Sequence, residues 1–505
     1  MEGSRTKKSI INLSVTMITQ IGNILIKFIG RTLFIRILGV ELLGINGLFT
    51  NILTLLSLAE LGLGNAVIYS MYKPLKEKNY DKLAALNLFY KKIYRIIIIV
   101  ILAFGVAFIP FLEKIVNLEN NIQYLHIYYI LFLIDTACSY VMCYKQSIIN
   151  ADQKVYILKI VYFCIQIIQF ILQLIVLLIF KNYIIYIVIQ ICCTLLNNLI
   201  CSCIANKLYP FINRKNKLTK TEQKDIFNNI KSLFLYKLSG TILNNTDNIF
   251  ISVLIGTTIV GYYSNYYMVI SSLNGIIYLI LNSVTASIGN LMTTQENDKQ
   301  KDIFLQLNLI CFFLTGMTSI ILFGIFNDFI TLWIGKEYIL SNLVIYITII
   351  NLYIYDMQIP VWIYRDTTGL FNDAKNATII VTILNIVLSF VFGKIFGLFG
   401  ILLATGLSRL LVTSWQQPLV LYKKVLKSSP KRYYYNKIYY SVILFIIILL
   451  SSFTSYKINV DSYLSLIIKI FVIFMVAFVL LYMFLFKTNE FKGLKERIKC
   501  ILRKK

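Results

Sequence analysis

Apolar residues recur along the chain in about fourteen long stretches separated by short polar connections. They begin near Ile10, Leu42, Ile96, Ile122, Val161, Tyr183, Leu233, Tyr262, Ile303, Leu340, Ala377, Leu398, Ile438 and Tyr463. At ~1.5 Å per residue such stretches cross a ~30 Å hydrocarbon layer. The pattern predicts an all-α polytopic membrane protein with about 14 transmembrane helices. The first stretch, Ser9 to Gly39, departs from a plain span. Gln20, Asn23, Lys27 and Arg31 follow one another at three- and four-residue spacing and so share one helix face, with Ile18, Leu25 and Ile29 on the other side. A cation at bilayer depth costs ~3 kcal/mol or more, so Lys27 and Arg31 are expected to face protein or a wet, anion-favouring cavity. Snorkelling to the headgroups or a structural ion pair is the alternative reading, and the natural one for Arg36 near the helix end.

Composition narrows the class. With 505 residues, 58% hydrophobic and 14% charged, the chain is excluded from the soluble proteins. The apolar run after the basic Met1 to Lys8 segment is too long for a signal-peptide core, so the first span is expected to be retained. The net charge of +26 concentrates in KPLKEKNYDKL, RKNKLTKTEQKD, KKVLKSSPKRYYYNK and the C-terminal tail. Placing these inside puts both termini in the cytoplasm, the Leu208 to Asp225 loop inside and Lys457 outside. The charge is then topological and draws anionic headgroups, not nucleic acid. Of nine cysteines, eight sit in or beside apolar runs, and the lone histidine, His126, has no paired CxxC to work with. No disulfide framework, metal or cofactor is expected.

The longest polar connection sets the domain plan: residues 1–207 as a six-helix lobe, 208–225 as a cytoplasmic linker and hinge, and 226–424 as a second six-helix lobe. Residues 425–486 add two further helices, and 487–505 form a basic amphipathic tail with Phe491, Leu494, Ile498 and Ile501 at helical spacing, expected to lie on the membrane surface. An internal repeat supports two lobes. ILGVELLG, with Gly39 and Gly44, recurs as LIGTTIVG, with Gly256 and Gly261, at an offset of about 217. The same offset lays Gln20 on Lys237, Lys27 on Asn244 and Arg31 on Asn248. An even number of spans between equivalent helices gives both copies one orientation, hence a pseudo-two-fold along the membrane normal suited to alternating access.

At these residues the sequence resembles the polysaccharide repeat-unit flippases of the multidrug/oligosaccharidyl-lipid/polysaccharide exporter superfamily. The resemblance rests on RILGVELLGINGLFTNILTLLSLAELGLGNAV (Arg36 to Val67), LIGTTIVGYYSNYY (Leu254 to Tyr267) and LFGIFNDFITLWIGKEY (Leu322 to Tyr338), the last similar to a reentrant-looking stretch before span ten. It implies two six-helix lobes around a central cavity plus two C-terminal helices. It also implies a transporter, not an enzyme, moving polyprenyl-pyrophosphate-linked oligosaccharide to the outer leaflet of a bacterial cytoplasmic membrane, beside polysaccharide polymerase and glycosyltransferases.

For that task Lys27, Arg31 and Lys237 are the cavity cations. Arg31 is the first choice for the pyrophosphate because its planar fork pairs bidentately with phosphate oxygens. Gln20, Asn23, Asn244, Asn245 and Asn248 suit sugar hydroxyls, although Asn is as often glue between membrane helices. Glu60, Asp135, Asp247 and Asp356 are the carboxylates placed in spans, either for ion coupling or for neutralising Lys27 and Arg31. Two other functions compete. A drug/cation antiporter of the same superfamily calls for a carboxylate-lined cavity, whereas the clearest charged face here is cationic. A membrane polymerase or glycosyltransferase calls for acid/base groups on substantial outside loops, and these are short.

Overall fold

The structure, a computed structural model, describes residues 2–57, 63–117, 122–294, 297–456 and 458–503. Among them there is helix and turn but no strand. The chain forms two compact units, Met1–Ser264 and Asn265–Lys505. Among the described residues, ten stretches are long and apolar enough to cross a membrane. Glu60 and Lys457 lie outside the described residues.

The first unit holds α1 (Glu2–Leu38), α2 (Val40–Leu56), α3 (Leu63–Lys76), α4 (Tyr80–Phe108), α5 (Leu112–Ile115) and α6 (Leu125–Ser139). It continues with α7 (Gln146–Ala151), α8 (Val155–Ile179), α9 (Tyr183–Leu208), α10 (Lys220–Asn245) and α11 (Asp247–Leu254), and ends inside α12 (Thr257–Asn282). Helix starts follow local chemistry. Asn79 and Asn182 cap α4 and α9 with side-chain oxygens that accept backbone N–H groups. Gly39, with φ of 85°, breaks α1 from α2, a conformation open to glycine at little cost. α1 turns Ile18, Ile21, Leu25 and Ile29 outward, exposed at three- and four-residue spacing. An exposed apolar stripe on a long helix is stable only against lipid.

The linker is tied down where a hinge was expected. Residues 220–225 belong to α10, and the preceding turn packs on α4: Asn87 Nδ2 donates to Ile212 O at 3.2 Å, and Arg214 pairs with Asp81 at 3.0 Å. Thr219 and Glu222 form a capping box, and Lys82 Nζ lies 2.9 Å from Glu222 Oε1. The Lys82 hydrogen bond, and after it the Thr219 N–H, hold the Glu222 carboxyl below its usual range. Its contribution is therefore complete above the ordinary glutamate pKa of ~4.3 and is lost as pH falls through the lowered folded value. Glu222→Gln is expected to melt below the wild type at pH 7 in detergent, with the gap closing in acid below the lowered value. A gap that persists in strong acid would remove the carboxylate from this account.

The second unit carries the rest of α12, then α13 (Thr285–Thr294), α14 (Asn297–Trp333), α15 (Asn342–Asp356) and α16 (Ile359–Thr368). It ends with α17 (Phe371–Leu411), α18 (Thr413–Leu421), α19 (Lys431–Tyr456), α20 (Tyr463–Leu485) and α21 (Asn489–Arg503). Its core is built on α14, where Phe304, Phe312 and Ile320 are fully buried and Phe312 stacks on Tyr440 with ring centroids 4.4 Å apart. α17 is a hairpin. Gly397 has φ of 60° and ψ of −138°, and Asn385 Nδ2 donates to Thr405 Oγ1 at 3.0 Å. Twenty residues of straight helix would separate those atoms by ~30 Å.

Three expectations change here. Leu322 to Trp333 is the continuous end of α14, and the chain turns only at Gly335 (φ 123°), so no reentrant element is formed there. Because that stretch is helix inside a candidate span, Asp328 joins the carboxylates placed in spans. It pairs with Lys469 of α20 at 2.7 Å, a contact that ties α20 to α14. The tail helix α21 exists, but its first turn docks on protein. Glu490 is 6% exposed, accepts from Arg432 Nε at 3.0 Å and Asn436 Nδ2 at 2.9 Å, and Phe491 packs on the α14 core.

Candidate functional site

The polar face of α1 survives in three dimensions. Lys27 is exposed, and at ~100° per residue it lies ~160° around the helix from Leu25 and Ile29. α1 thus has two open sides, one apolar and one cationic. Its remaining surface packs on α8, where Phe163 and Phe170 sit against Gly22 and Gly30. Gln20 and Asn23 are half-buried, and the enclosed Oδ1 of Asn23 has no partner among the described residues.

Arg31 is half-buried and held. Its Nη1 donates at 2.8 Å to Ser264 Oγ on α12, and that hydroxyl in turn donates to Gly261 O at 2.8 Å. The other guanidinium nitrogens keep donor capacity. Arg31 is thereby aimed by the segment of α12 that lies against α2. There the two helices meet backbone to backbone: a Cβ on Gly44 would collide with Thr257 O, one on Gly261 would collide with Val40 O, and the latter would also sit 3.2 Å from Gly44 N. Glycine is required at both places by this approach. The contacts are reciprocal at the repeat offset, because Val40 corresponds to Thr257 and Gly44 to Gly261. The Arg31 contact has its counterpart too: Asn248, which corresponds to Arg31, places Nδ2 4.0 Å from a Cβ built on Gly47, which corresponds to Ser264. Gly39 and Gly256, the turn glycines of the two copies, both have positive φ, 85° and 147°.

The remaining residues named from sequence lie on other helices. Lys237 is half-buried and Asn244 exposed on α10, while Asn245 donates to Thr241 O in its own helix at 2.8 Å. Asp247 opens α11 and is half-buried. Asp135 on α6 is already satisfied, accepting from Gln190 Nε2 at 2.7 Å and Thr194 Oγ1 at 2.8 Å. Asp356, in the second unit, differs: it ends α15 just before the break to α16, is 0% exposed, and neither carboxyl oxygen has a partner among the described residues. No group of three His, Cys, Asp or Glu suited to a metal occurs among the described residues. Sequence reading missed Ser264, the group that positions Arg31. A serine in a tyrosine-rich run carries no signal of its own.

The profile of the family described as polysaccharide biosynthesis protein matches residues 9–286, more than half of the chain. The chain belongs to that family. No curated protein matches it by sequence. Among solved structures, the family member's fold is shared with the lipid II flippase MurJ in an inward closed conformation. That match has a TM-score of 0.71 at 15% identity and covers 95% of this chain and 100% of that one. It is shared also with an inward-facing multidrug resistance MATE family transporter of the MOP superfamily, with a TM-score of 0.62 at 14% identity over 83% of this chain and 99% of that one. A mutant of the Vibrio cholerae MATE transporter VcmN follows, with a TM-score of 0.55 at 11% identity over 84% and 99%. The likeness is one of fold, a multi-pass helical membrane fold, and the solved proteins that share it are named as a flippase and as transporters.

Proposed function

We propose that this family member is a flippase that carries polyprenyl-pyrophosphate-linked oligosaccharide repeat units from the inner to the outer leaflet of a bacterial cytoplasmic membrane by alternating access. The observation that carries the reading is the cationic face of α1, with Arg31 presented by Ser264 and Lys27 open beside the Asn23 face. A pyrophosphate needs such donors, and a membrane helix retains them only for a purpose. One of the solved proteins that share the fold is named as a lipid II flippase, which favours a lipid substrate here. Gln20, Asn23, Lys237, Asn244 and Asn248 are assigned to the sugars and the remaining charge.

Taking each broken helix as one crossing, and α17 as two, the helices number about fourteen with both ends on the cytoplasmic side, in line with the charge asymmetry. The reciprocal contacts at Gly44 and Gly261 favour a local two-fold between the repeats, as expected where a surface meets its own copy, and support six-helix lobes at 1–207 and 226–424. The drug antiporter remains the second reading because MATE transporters share the fold. The cationic face argues against it.

A pyrophosphate diester carries about two negative charges, so export runs with the membrane field, and at ~2.3 kcal/mol per charge per 100 mV the release is ~4.6 kcal/mol. If the cations shield the substrate, an antiported proton or sodium ion supplies the bias, and Asp356 is its preferred site: a buried carboxyl without a partner is costly unless it takes up a cation in one state of the cycle.

The deciding experiment is flipping in vesicles. The protein is expected to move polyprenyl-pyrophosphate oligosaccharide but not a cationic dye. Asp356→Asn is expected to abolish the response to an imposed ion gradient. Transport of the dye alone would replace this function with the antiporter. Full flipping under a potential with no gradient, unchanged by Asp356→Asn, would eliminate ion coupling at that residue.

A further inference from the structure

The second unit holds a groove that the flippase reading does not use. It lies between the junction of α17 with α18 and the first half of α19, has a volume of about 380 Å³, and is lined by Leu410, Ser414, Trp415, Tyr434, Lys437, Ile438, Ser441, Val442 and Phe445. Its walls are apolar and face outward: Leu410, Trp415, Ile438, Val442 and Phe445 are all exposed on helices apolar enough to span the bilayer. At one end, Trp415 and Tyr434 pack with ring centroids 4.8 Å apart, and Tyr434 OH donates to Trp415 O at 2.6 Å. Aromatic side chains of this kind mark headgroup depth.

The cation beside them is Lys437. Its Nζ donates to Ser414 O at 3.4 Å and stands 6.0 Å from the Tyr433 ring. Two cations nearby do have acidic partners, Lys424 with Asp373 and Arg432 with Glu490. Lys437 has no carboxylate among the described residues, although a half-buried ammonium in a membrane helix calls for an anion. From Lys437 to Phe445 the groove follows α19 for ~12 Å, most of the ~15 Å depth of one leaflet.

We propose that this groove is a binding site for one anionic glycerophospholipid, with its phosphate on Lys437 and an acyl chain along Ile438, Val442 and Phe445. One cation matches the single charge of a phosphodiester. A pyrophosphate, with about two, is left half unpaired. The lipid joins α18 to α19 across a gap the protein leaves unfilled. The site stands on the groove and its lysine, so it holds or fails independently of what the protein transports.

Native mass spectrometry of the full chain, titrated with phosphatidylglycerol or phosphatidylcholine, tests it. Wild type is expected to retain one phosphatidylglycerol at concentrations where phosphatidylcholine leaves no bound species. Lys437→Gln lowers that retention at least fivefold, Lys437→Arg keeps it, and Lys423→Gln in the helical turn that follows α18 leaves it unchanged. Val442→Trp, which fills the groove and keeps the lysine, also releases the lipid and serves if Lys437→Gln does not fold. Equal retention of the two lipids, or unchanged retention in both Lys437→Gln and Val442→Trp, would overturn the site. Displacement of phosphatidylglycerol by equimolar polyprenyl diphosphate would overturn the assignment to a bilayer phospholipid and give the groove to a lipid-linked pyrophosphate.

Discussion

Gly44→Ala and Gly261→Ala are each expected to destabilise the protein by ~1–3 kcal/mol, the cost of forcing a methyl group into close-packed structure. Larger residues should prevent accumulation in the membrane. The reason is what the new Cβ meets. It is backbone in both cases, Thr257 O and Val40 O, and backbone cannot rotate aside as a flexible side chain does. The two sites share one crossing, so once α2 and α12 have been pushed apart by the first methyl group, the second costs less. The double variant is expected to lose clearly less than the sum of the singles. Gly240→Ala is the control, since nothing lies within 4 Å of its Cβ position, and alanine there favours helix by up to ~1 kcal/mol. Thermal unfolding of purified protein in one detergent reads all four variants. Strict additivity of Gly44→Ala and Gly261→Ala would show that the two glycines do not meet.

Lys27→Ala combined with Arg31→Ala is expected to lower export of the lipid-linked glycan at least roughly 100-fold with protein still in the membrane. Each cation offers the pyrophosphate a charge-assisted contact of ~1.5–3 kcal/mol, and ~1.4 kcal/mol is tenfold. Arg31→Lys should fall between, because it keeps the charge and loses the planar fork. Ser264→Ala separates binding from architecture. It removes the hydroxyl to which Arg31 donates and leaves the guanidinium, so a substrate role predicts a modest loss. If Ser264→Ala were as damaging as Arg31→Ala, Arg31 would be a structural strut. Normal surface polysaccharide in the double cation variant would end the anion-site reading. Membrane abundance must be measured beside export, since α1 packs along α8 and a misplaced α1 would mimic loss of binding.

Much of this protein is written locally. Hydrophobic runs separated by Gly, Asn and basic residues determine an all-helical membrane fold, because lipid leaves the backbone no other way to satisfy its polar groups. The periodicity of Gln20, Asn23, Lys27 and Arg31 determines a shared face, since that follows from helix geometry alone. The paired ILGVELLG and LIGTTIVG stretches determine two turns with glycine at positive φ.

Only the tertiary structure decided what those features touch. That Arg31 is held by Ser264, that Gly44 and Gly261 meet, and that Asp135 is satisfied while Asp356 is not depend on which helices become neighbours, and spacing along one helix carries no such information. The hairpin at Gly397 was legible as two apolar stretches, whereas the part-buried Lys469 to Asp328 pair was not: its partners lie 141 positions apart on helices that each look ordinary. The α10 cap and the Glu490 clamp were hidden for the same reason. Polar, charged segments look like solvent-facing loops until a counter-ion such as Lys82 or Arg432 is brought beside them by the packing of apolar helices elsewhere.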